Sequence, residues 1–305
     1  MHLPVLLPET IDNLISNPKG TYVDCTLGGG GHMQLLLDRL SPEAKVIGLD
    51  KDSEVLEQTS RLIKDQRVVL RQSDFRYLAQ VLKGLEIDLV DGIMMDLGVS
   101  SFQLDQPERG FSFHSDAPLD MRMNRNQPLT ARDIVNNYSE SELSHIFYTY
   151  GEEAYARSIS RAIVSYRQTK PIETTLELTE IIKSAVPAKY RREKHPARKS
   201  FQALRIEVNE ELKALEEVLP QAVSLLKPGG RLCIISFHSL EDRIVKQFLA
   251  EKSLDCICPS SFPICICDHR AQVKLVNRKP ITASAQECAV NPRARSARLR
   301  VAVRI

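Results

Sequence analysis

The sequence predicts an α/β fold in which helices cover both faces of a parallel sheet and a mostly helical insertion interrupts the chain. Over the first hundred residues, short strands that are apolar on both faces alternate with helical segments, as in buried parallel sheets. The alternation stops between about residue 101 and residue 206. It then resumes with a long helix and a strong apolar strand.

Four strands with helices between them account for the first part of the chain. Each helical segment places apolar residues at helical spacing, and Ser53 is the expected N-cap of the second helix. The expected strands are GTYVDCTL, AKVIGLDKD, RVVLRQSDF and VDGIMMDLG, and the expected helices are HMQLLLDRL, SEVLEQTSRLIKD and RYLAQVLKGL.

The insertion begins with a polar loop from residue 101 to residue 130. The helical segments ARDIVNNY, SESELSHIFYTYG, EEAYARSISRAIVSYRQT and TTLELTEIIKSAV follow it. The α/β pattern then returns with the helix NEELKALEEVLPQAVSLL, a KPGG turn and the strand RLCIISF. We therefore expect a discontinuous domain of residues 1–101 and 207–305, with an inserted helical domain of residues 102–206.

Composition and charge predict a cytoplasmic protein with a local binding site for a polyanion. No run approaches the roughly 18 apolar residues of a membrane span, and the N-terminus lacks the features of a signal peptide. The formal net charge is +2, yet residues 187–205 and 277–305 each contain seven Lys or Arg and one acid. Such clusters favour a nucleic-acid partner, although a solvated face has the same composition. The oligomeric state, a homodimer included, stays open.

The stretch VDCTLGGGGH indicates the kind of cofactor. A glycine turn between a strand and a helix brings backbone N–H groups to a ligand, and Asp50 at the end of the second strand suits a ribose. Gly28 and Gly30 fit G-x-G-x-x-G, but Met33 stands at the third position, and Asp24 would repel a pyrophosphate. This arrangement instead predicts S-adenosylmethionine, with Asp24 near its ammonium group.

Asp96 ends the fourth strand. Ligands of open α/β sheets bind beyond the carboxyl ends of the strands, so Asp96 is expected where methyl donor and acceptor meet. Capping of the following turn is the alternative role for this side chain.

Several long segments together resemble the RsmH (MraW) family of methyltransferases. They are TLGGGGH, MMDLGVSSFQLDQPERGFSF, PLDMRM, YGEE, KHPARKSFQALRIEVN, SFHSLEDRIVKQF and NPRARSARLR, from about Leu6 to the C-terminus. The resemblance implies a Rossmann-like S-adenosylmethionine-dependent methyltransferase fold. It also implies methylation of the N4 amine of a cytidine in the decoding region (P-site) of small-subunit (16S) ribosomal RNA.

The resemblance carries a set of cofactor contacts onto this chain. These are Gly30, Gly31, His32, Asp50, Phe75, Asp96 and Gln103. Asp96 is also the catalytic candidate, as acceptor of hydrogen bonds from the amine. The chain has DLGV where many amine methyltransferases have an acid or asparagine followed by Pro-Pro-aromatic, so this catalytic role is less directly implied. Phe75 also fits a core position, and His32 fits a helix start that uses only its backbone.

The RNA contacts follow from the two basic clusters and the segment after the last strong strand. A target base has to be unstacked to reach the cofactor, and cationic side chains around it would hold the phosphates. His238 would line the acceptor side, although a structural histidine fits equally. The expected phosphate contacts are Arg192, Lys194, Arg198, Lys199, Arg293, Arg295, Arg298 and Arg300.

The segment CICPSSFPICICDH lies outside the cofactor motifs. Four thiols within a dozen residues of a cytoplasmic chain favour metal over disulfides. The Cys-x-Cys spacing is shorter than in most structural zinc sites, so a reduced or redox-variable loop is favoured over a zinc site. We assign no metal ligand from the sequence and keep Cys256, Cys258, Cys265 and Cys267 as candidate zinc ligands.

Two other functions compete with an RNA methyltransferase. A nicotinamide dehydrogenase is disfavoured by Met33 and Asp24. An RNA-binding ribosome assembly factor that kept the fold without catalysis is disfavoured by the intact glycine run, Asp50 and Asp96.

Overall fold

The computed structural model describes residues 3–193, 195–259, 262 and 264–305. The chain divides into two compact units, Met1–Gly98 with Leu212–Ile305, and Val99–Glu211. In the part of the chain described here, no helix is both long enough and apolar enough to span a membrane.

The first unit begins with one helix and then alternates strands and helices, as expected. Its elements up to residue 96 are α1 (Leu7–Leu14), β1 (Thr21–Asp24), α2 (Gly31–Arg39), β2 (Lys45–Asp50), α3 (Ser53–Leu62), β3 (Val68–Gln72), α4 (Leu78–Gly84) and β4 (Val90–Asp96). The expected N-cap of α3 was wrong. Asp52 caps this helix, because its carboxylate accepts the N–H groups of Glu54 and Val55.

The second unit is helical and has its own apolar core. Its helices are α5 (Ser101–Asp105), α6 (Ala131–Asn137), α7 (Glu140–Thr149), α8 (Ala156–Arg167), α9 (Thr175–Ala185), α10 (Ala188–Glu193) and α11 (Ala197–Asn209). Helix α11 was not expected, because its segment was interpreted only as a basic cluster. The buried Phe201 and Leu204 on α11 pack in the core of the unit.

Buried polar side chains hold the long loop before α6. The guanidinium of Arg109 donates to the carbonyl oxygens of Arg122 and Met123 at 2.9 and 3.1 Å. The side chain of Asn209 donates to the carbonyl of Met121 at 2.8 Å and accepts the N–H of Met123 at 2.8 Å. These bonds satisfy backbone groups of residues 121–123, which belong to no helix or strand, and so they hold this part of the loop in place.

The chain then returns to the first unit. The remaining elements are α12 (Glu211–Ser224), β5 (Leu226–Ser236), α13 (Ser239–Lys252), β6 (Val273–Leu275), α14 (Ala285–Val290) and β7 (Arg298–Arg304). The KPGG segment is not a separate turn. It lies within β5, where the pairing with β4 shifts register and Gly229 has a φ of +79°.

The seven strands form one sheet in the order β3-β2-β1-β4-β5-β7-β6. Strands β1 to β5 are parallel, and β7 runs antiparallel to both of its neighbours. One apolar layer includes residues of α4, α12 and α13, and the other includes residues of α1 and α2. The α/β prediction is confirmed. Because β1, β2, β4 and β5 are parallel, their carboxyl ends meet at one edge of the sheet.

The glycine turn between β1 and α2 is closely packed against the protein itself. Gly30 has a φ of +74°, and a Cβ atom there would lie 2.7 Å from Cδ1 of Ile63. A Cβ atom on Gly31, the first residue of α2, would lie 2.2 Å from Cγ of Pro4. Gly30 is therefore favoured by its left-handed backbone and Gly31 by the close approach of Pro4, whatever ligand the turn binds.

We expect Gly31→Ala to lower the free energy of unfolding by about 1–3 kcal/mol, as overpacking does in a filled site. Chemical denaturation measures this loss. Gly84→Ala is the matched control, because nothing lies within 4 Å of a Cβ atom at this position in α4. The control is expected to keep or slightly raise stability. Equal stability of Gly31→Ala and wild type would contradict the packing argument.

Candidate functional site

Three aspartates, of which Asp24 is buried and the other two are half-buried, end neighbouring strands at the carboxyl edge of the sheet. Asp24 ends β1, Asp50 ends β2 and Asp96 ends β4. Strand β1 pairs with both β2 and β4, so the strand ends are adjacent. The spacing of these acids along the sequence comes from the βα repeat, and the sheet brings them together.

Asp50 holds the glycine turn. Its Oδ2 accepts the N–H of Gly28 at 2.9 Å, and its Oδ1 accepts the N–H of Asp52 at 2.9 Å. Burial raises the pKa of Asp50 to about 6, although these two backbone bonds act in the opposite direction. The carboxylate is thus fixed in place, and a ligand cation or hydroxyl beside it would favour its ionised form.

Thr26 connects the two other aspartates. Its N–H donates to Oδ1 of Asp24 at 3.0 Å, and its hydroxyl oxygen accepts the N–H of Asp96 at 2.6 Å. Burial raises the pKa of Asp24 to about 7, and the charge of Asp50 adds to the effect. Sequence reasoning missed Thr26, because nothing in its spacing marks a side chain that bridges two strands.

Asp96 has the least satisfied carboxylate of the three. Burial raises the pKa of Asp96 well above its ordinary value, and the charges of Asp24 and Glu241 raise it further. Its Oδ1 is buried and makes no hydrogen bond within the described chain. Buried polar atoms are nearly always bonded, so this oxygen is a candidate contact for a ligand.

His32 lies beside these acids and is held by the N-terminal segment. Its Nε2 is 3.1 Å from the carbonyl oxygen of Val5, which can only accept, so Nε2 carries the hydrogen. Its Nδ1 lies 3.8 Å from Oδ2 of Asp96. The ring is buried. His32 therefore links α2 and the glycine turn to the end of β4.

Phe75 follows β3 and is half-buried against the apolar layer that contains α4. Asp74, just before it, accepts the N–H of Arg76 at 3.0 Å and lies 3.9 Å from Nζ of Lys51. Sequence reasoning missed Asp74, although the QSDF segment repeats the acid-after-strand pattern of the other site residues. A further carboxylate thus follows the third strand.

Gln103 belongs to the second unit. It is buried and forms a capping box at the start of α5, in which its Oε1 accepts the N–H of Ser100 at 3.0 Å. The structure therefore gives Gln103 a local role in its own unit. Its expected cofactor contact stays a prediction.

The end of β5 opens into a cleft of about 380 Å³. His238 caps α13, because its Nδ1 accepts the N–H of Glu241 at 3.4 Å, and Glu241 accepts the N–H of Phe237 in return. Sequence reasoning missed Glu241, whose signal was the H-x-x-E capping-box spacing. The cleft is lined by Phe237, His238, Ser239, Thr282, Arg295, Ser296, Ala297 and Arg298.

The C-terminal arginines divide into two groups. Arg298 and Arg300 on β7 donate to the buried carboxylate of Asp242 at 2.8 and 2.7 Å. Burial alone would raise the pKa of Asp242, but the bonds from Arg300 and Arg298 outweigh it and lower that pKa. Arg300 is largely buried in this ion pair, and its expected phosphate contact stays a prediction. Arg293 and Arg295 precede β7 and are exposed.

The basic cluster of the insertion lies on α10 and α11 and between them. Arg192 and Arg198 are exposed, and Nζ of Lys199 donates to the carbonyl of Glu152. Lys194 lies outside the described residues. The sulfurs of Cys256, Cys258, Cys265 and Cys267, which precede β6, lie within 4.8 Å of one another.

This set of groups fits S-adenosylmethionine. Buried carboxylates complement a ligand with an ammonium and a sulfonium, and Asp50 can accept from ribose hydroxyls. The unpartnered Oδ1 of Asp96 leaves an acceptor where the strands β4 and β5 end. When bound, the cofactor supplies an electrophilic methyl group.

The sequence profile of the MraW methylase family matches residues 1–305. Two relatives carry the name ribosomal RNA small subunit methyltransferase H. That of Carboxydothermus hydrogenoformans is 52% identical over 306 residues, covering 100% of this chain and 98% of the relative. That of Halothermothrix orenii is 50% identical over 306 residues, with the same coverage. The solved structure of an rRNA methylase from Streptococcus thermophilus is 10% identical with a TM-score of 0.43, covering 100% of this chain and 99% of that one.

We expect the affinity for S-adenosylmethionine to weaken as the pH falls through about 7 and then through about 6. A cationic ligand favours ionised carboxylates, so binding lowers their pKa values and releases protons. The free-protein pKa is about 7 for Asp24 and about 6 for Asp50, so the loss begins near neutrality. Each group that releases a proton contributes a slope of up to about tenfold per pH unit. Calorimetric titration across this range measures it.

The matched variant is Asp24→Asn, which keeps an oxygen for the N–H of Thr26 and removes the charge. It should bind more weakly at about pH 8 and lose the dependence near pH 7, while the dependence near pH 6 stays. Adenosine, which has neither ammonium nor sulfonium, should bind wild type without the step near pH 7. A step that persists in Asp24→Asn would assign the titration to another group.

Proposed function

Because this chain belongs to the MraW methylase family, we propose that it methylates the N4 amine of a cytidine in small-subunit ribosomal RNA. The chain is an S-adenosylmethionine-dependent methyltransferase. The names of relatives at about half identity over the full chain support a ribosomal RNA substrate. The family resemblance points further, to a cytidine in the decoding region and to a cytoplasmic enzyme.

The observation that carries the proposal is the free buried oxygen of Asp96. An exocyclic amine has two N–H groups and a lone pair that is delocalised into the ring, so it is a weak nucleophile. A carboxylate that accepts one N–H bond holds the amine and directs its lone pair. The Oδ1 of Asp96 has no partner in the described chain and lies at the end of β4, which supports this role.

The atoms of the transfer balance without a covalent enzyme intermediate. The amine nitrogen forms a bond to the methyl carbon as the carbon–sulfur bond breaks, and the sulfonium becomes a neutral thioether. The nitrogen then loses one proton. The raised pKa of Asp96 makes its carboxylate a better proton acceptor than an ordinary aspartate.

The RNA would be held by cationic side chains of each unit. Arg293, Arg295 and Arg298 lie at or near the cleft that His238 lines, and Arg192, Lys194, Arg198 and Lys199 belong to the insertion. Contacts of this kind position the strand through its phosphates, and the unstacked base would enter beside the strand ends.

The direct test uses methyl-labelled S-adenosylmethionine and small ribosomal subunits from a strain that lacks this methyltransferase. After digestion to nucleosides, we expect the label in N4-methylcytidine. Label in another nucleoside would overturn the proposed target. If the protein binds the cofactor and the subunit but no label is transferred, the non-catalytic assembly factor becomes the better account.

Asp96→Asn tests the catalytic role. The substitution preserves size and one acceptor oxygen but removes the charge, so we expect kcat to fall by a factor on the order of 10²–10⁴. In wild type, kcat/KM should fall as the pH drops through the raised pKa of Asp96, because protonation removes the acceptor. The variant should lose that acidic limb.

Asp88→Asn is the control, since this exposed acid lies just before β4. It should leave both kcat and the pH profile unchanged. Cofactor affinity is measured separately for each variant, so that a loss of binding is distinguished from a loss of transfer. An unchanged pH profile in Asp96→Asn would rule out this residue as the acceptor.

A further inference from the structure

Four cysteine sulfurs converge in the segment between α13 and β6, which we call the cysteine loop (residues 253–272). The Sγ atoms of Cys256, Cys258, Cys265 and Cys267 all lie within 4.8 Å of one another. The Sγ atoms of Cys265 and Cys267 are 3.6 Å apart, and those of Cys267 and Cys256 are 3.9 Å apart. A tetrahedral zinc site with bonds of about 2.3 Å has sulfurs about 3.8 Å apart, so these separations suit one ion.

The backbone around the sulfurs also suits thiolate ligands. The N–H of Ile257 points to Sγ of Cys267 at 3.5 Å, and the N–H of Ile266 points to Sγ of Cys258 at 3.4 Å. The N–H of Cys258 lies 3.4 Å from Sγ of Cys256. Hydrogen bonds from such outer groups orient metal ligands and offset their negative charge. The Ile257 and Ile266 bonds each run from one Cys-x-Cys segment to a sulfur of the other, so they hold the two segments together.

The loop lacks a core that would order it. None of its described residues is buried, and the apolar side chains of Ile264 and Ile266 are 74% and 72% exposed. The ends are joined by the N–H of Gln272, which donates to the carbonyl of Lys252 at 2.7 Å. Segments too small to bury a core commonly depend on a metal for their fold.

We propose that the cysteine loop binds one structural Zn²⁺ ion through Cys256, Cys258, Cys265 and Cys267. Four thiolates fill the coordination sphere of a tetrahedral ion and leave no open position, so the site is structural. An iron–sulfur cluster would divide the four sulfurs among two or four irons and spread the cysteines further apart. Two disulfides are the other use of four thiols, and the test separates them.

The site does not depend on the three aspartates of the cofactor site. Its ligands lie beyond the end of α13, whereas Asp24, Asp50 and Asp96 lie at the ends of β1, β2 and β4. Removing the metal should therefore disorder the cysteine loop while cofactor affinity is preserved. Proteolysis within residues 253–272 reports the first effect, and calorimetry reports the second.

The experiment measures metal in the full-length protein purified without chelators. We expect one zinc per chain by elemental analysis and by native mass spectrometry. Cobalt exchanged into the site should give the visible bands of a tetrahedral thiolate complex. The double variant Cys256→Ser, Cys267→Ser should lose the zinc and the cobalt bands and become more sensitive to proteolysis in the loop.

Cys288→Ser is the matched control, because Cys288 is a partly exposed free thiol outside the loop. It should keep one zinc per chain and the cobalt spectrum. Substoichiometric zinc in the wild type, a native mass reduced by the four hydrogens of two disulfides, or tightly bound iron in place of zinc would each overturn the proposal. Retained zinc in the double variant would overturn the ligand set.

Discussion

The convergence of three buried or half-buried carboxylates at one edge of a parallel sheet is the constraint on which the rest of the site depends. Like charges that are removed from water raise one another's pKa, so the unliganded edge is destabilised at neutral pH. Backbone N–H groups of Gly28, Asp52 and Thr26 offset part of this cost. Asp50 thus holds the glycine turn through the N–H of Gly28. A cationic cofactor would offset the remaining repulsion among the carboxylates.

The opposite end of β4 shows what a fully paired acid looks like in the same strand. Asp91 accepts the N–H of Thr21 at 2.8 Å and bonds Nζ of Lys227 at 2.7 Å and the side chain of Asn17 at 3.2 Å. Burial acts to raise the pKa of Asp91, but these partners together lower it. Asp96 lacks such partners at Oδ1. An acid with a structural role, such as Asp91, has hydrogen-bond partners for its carboxylate, whereas Oδ1 of Asp96 has none in the described chain. This difference between the two ends of one strand indicates a binding site at Asp96.

Local sequence patterns predicted most elements of the first unit up to β4, and they predicted much less of the rest of the fold. The βα alternation predicted β1 to β4 and placed Asp24, Asp50 and Asp96 at strand ends, because a parallel sheet repeats its geometry at each strand. Thr26 was not predicted, because the residue that it bonds, Asp96, is far away along the chain. Glu241 was not predicted, because the residue that shares its capping box is a histidine, His238, and not one of the common N-cap residues. Helix α11 was not predicted, because its segment was classed by its cationic residues and the helical spacing of its buried apolar residues was not considered.

Charge counts alone do not describe the basic C-terminal segment, and β7 shows why. In RLRVAVR the residues alternate, so Arg298 and Arg300 lie on the same face of the strand. Both meet the single carboxylate of Asp242, which sits on α13 beneath that face. The pairing neutralises charge and ties the last strand to a helix. Arg295 lies before β7 begins, so the alternation of the strand does not direct its side chain toward Asp242. It is exposed and lines the cleft. The alternation of β7 therefore commits part of the positive charge of this segment to Asp242.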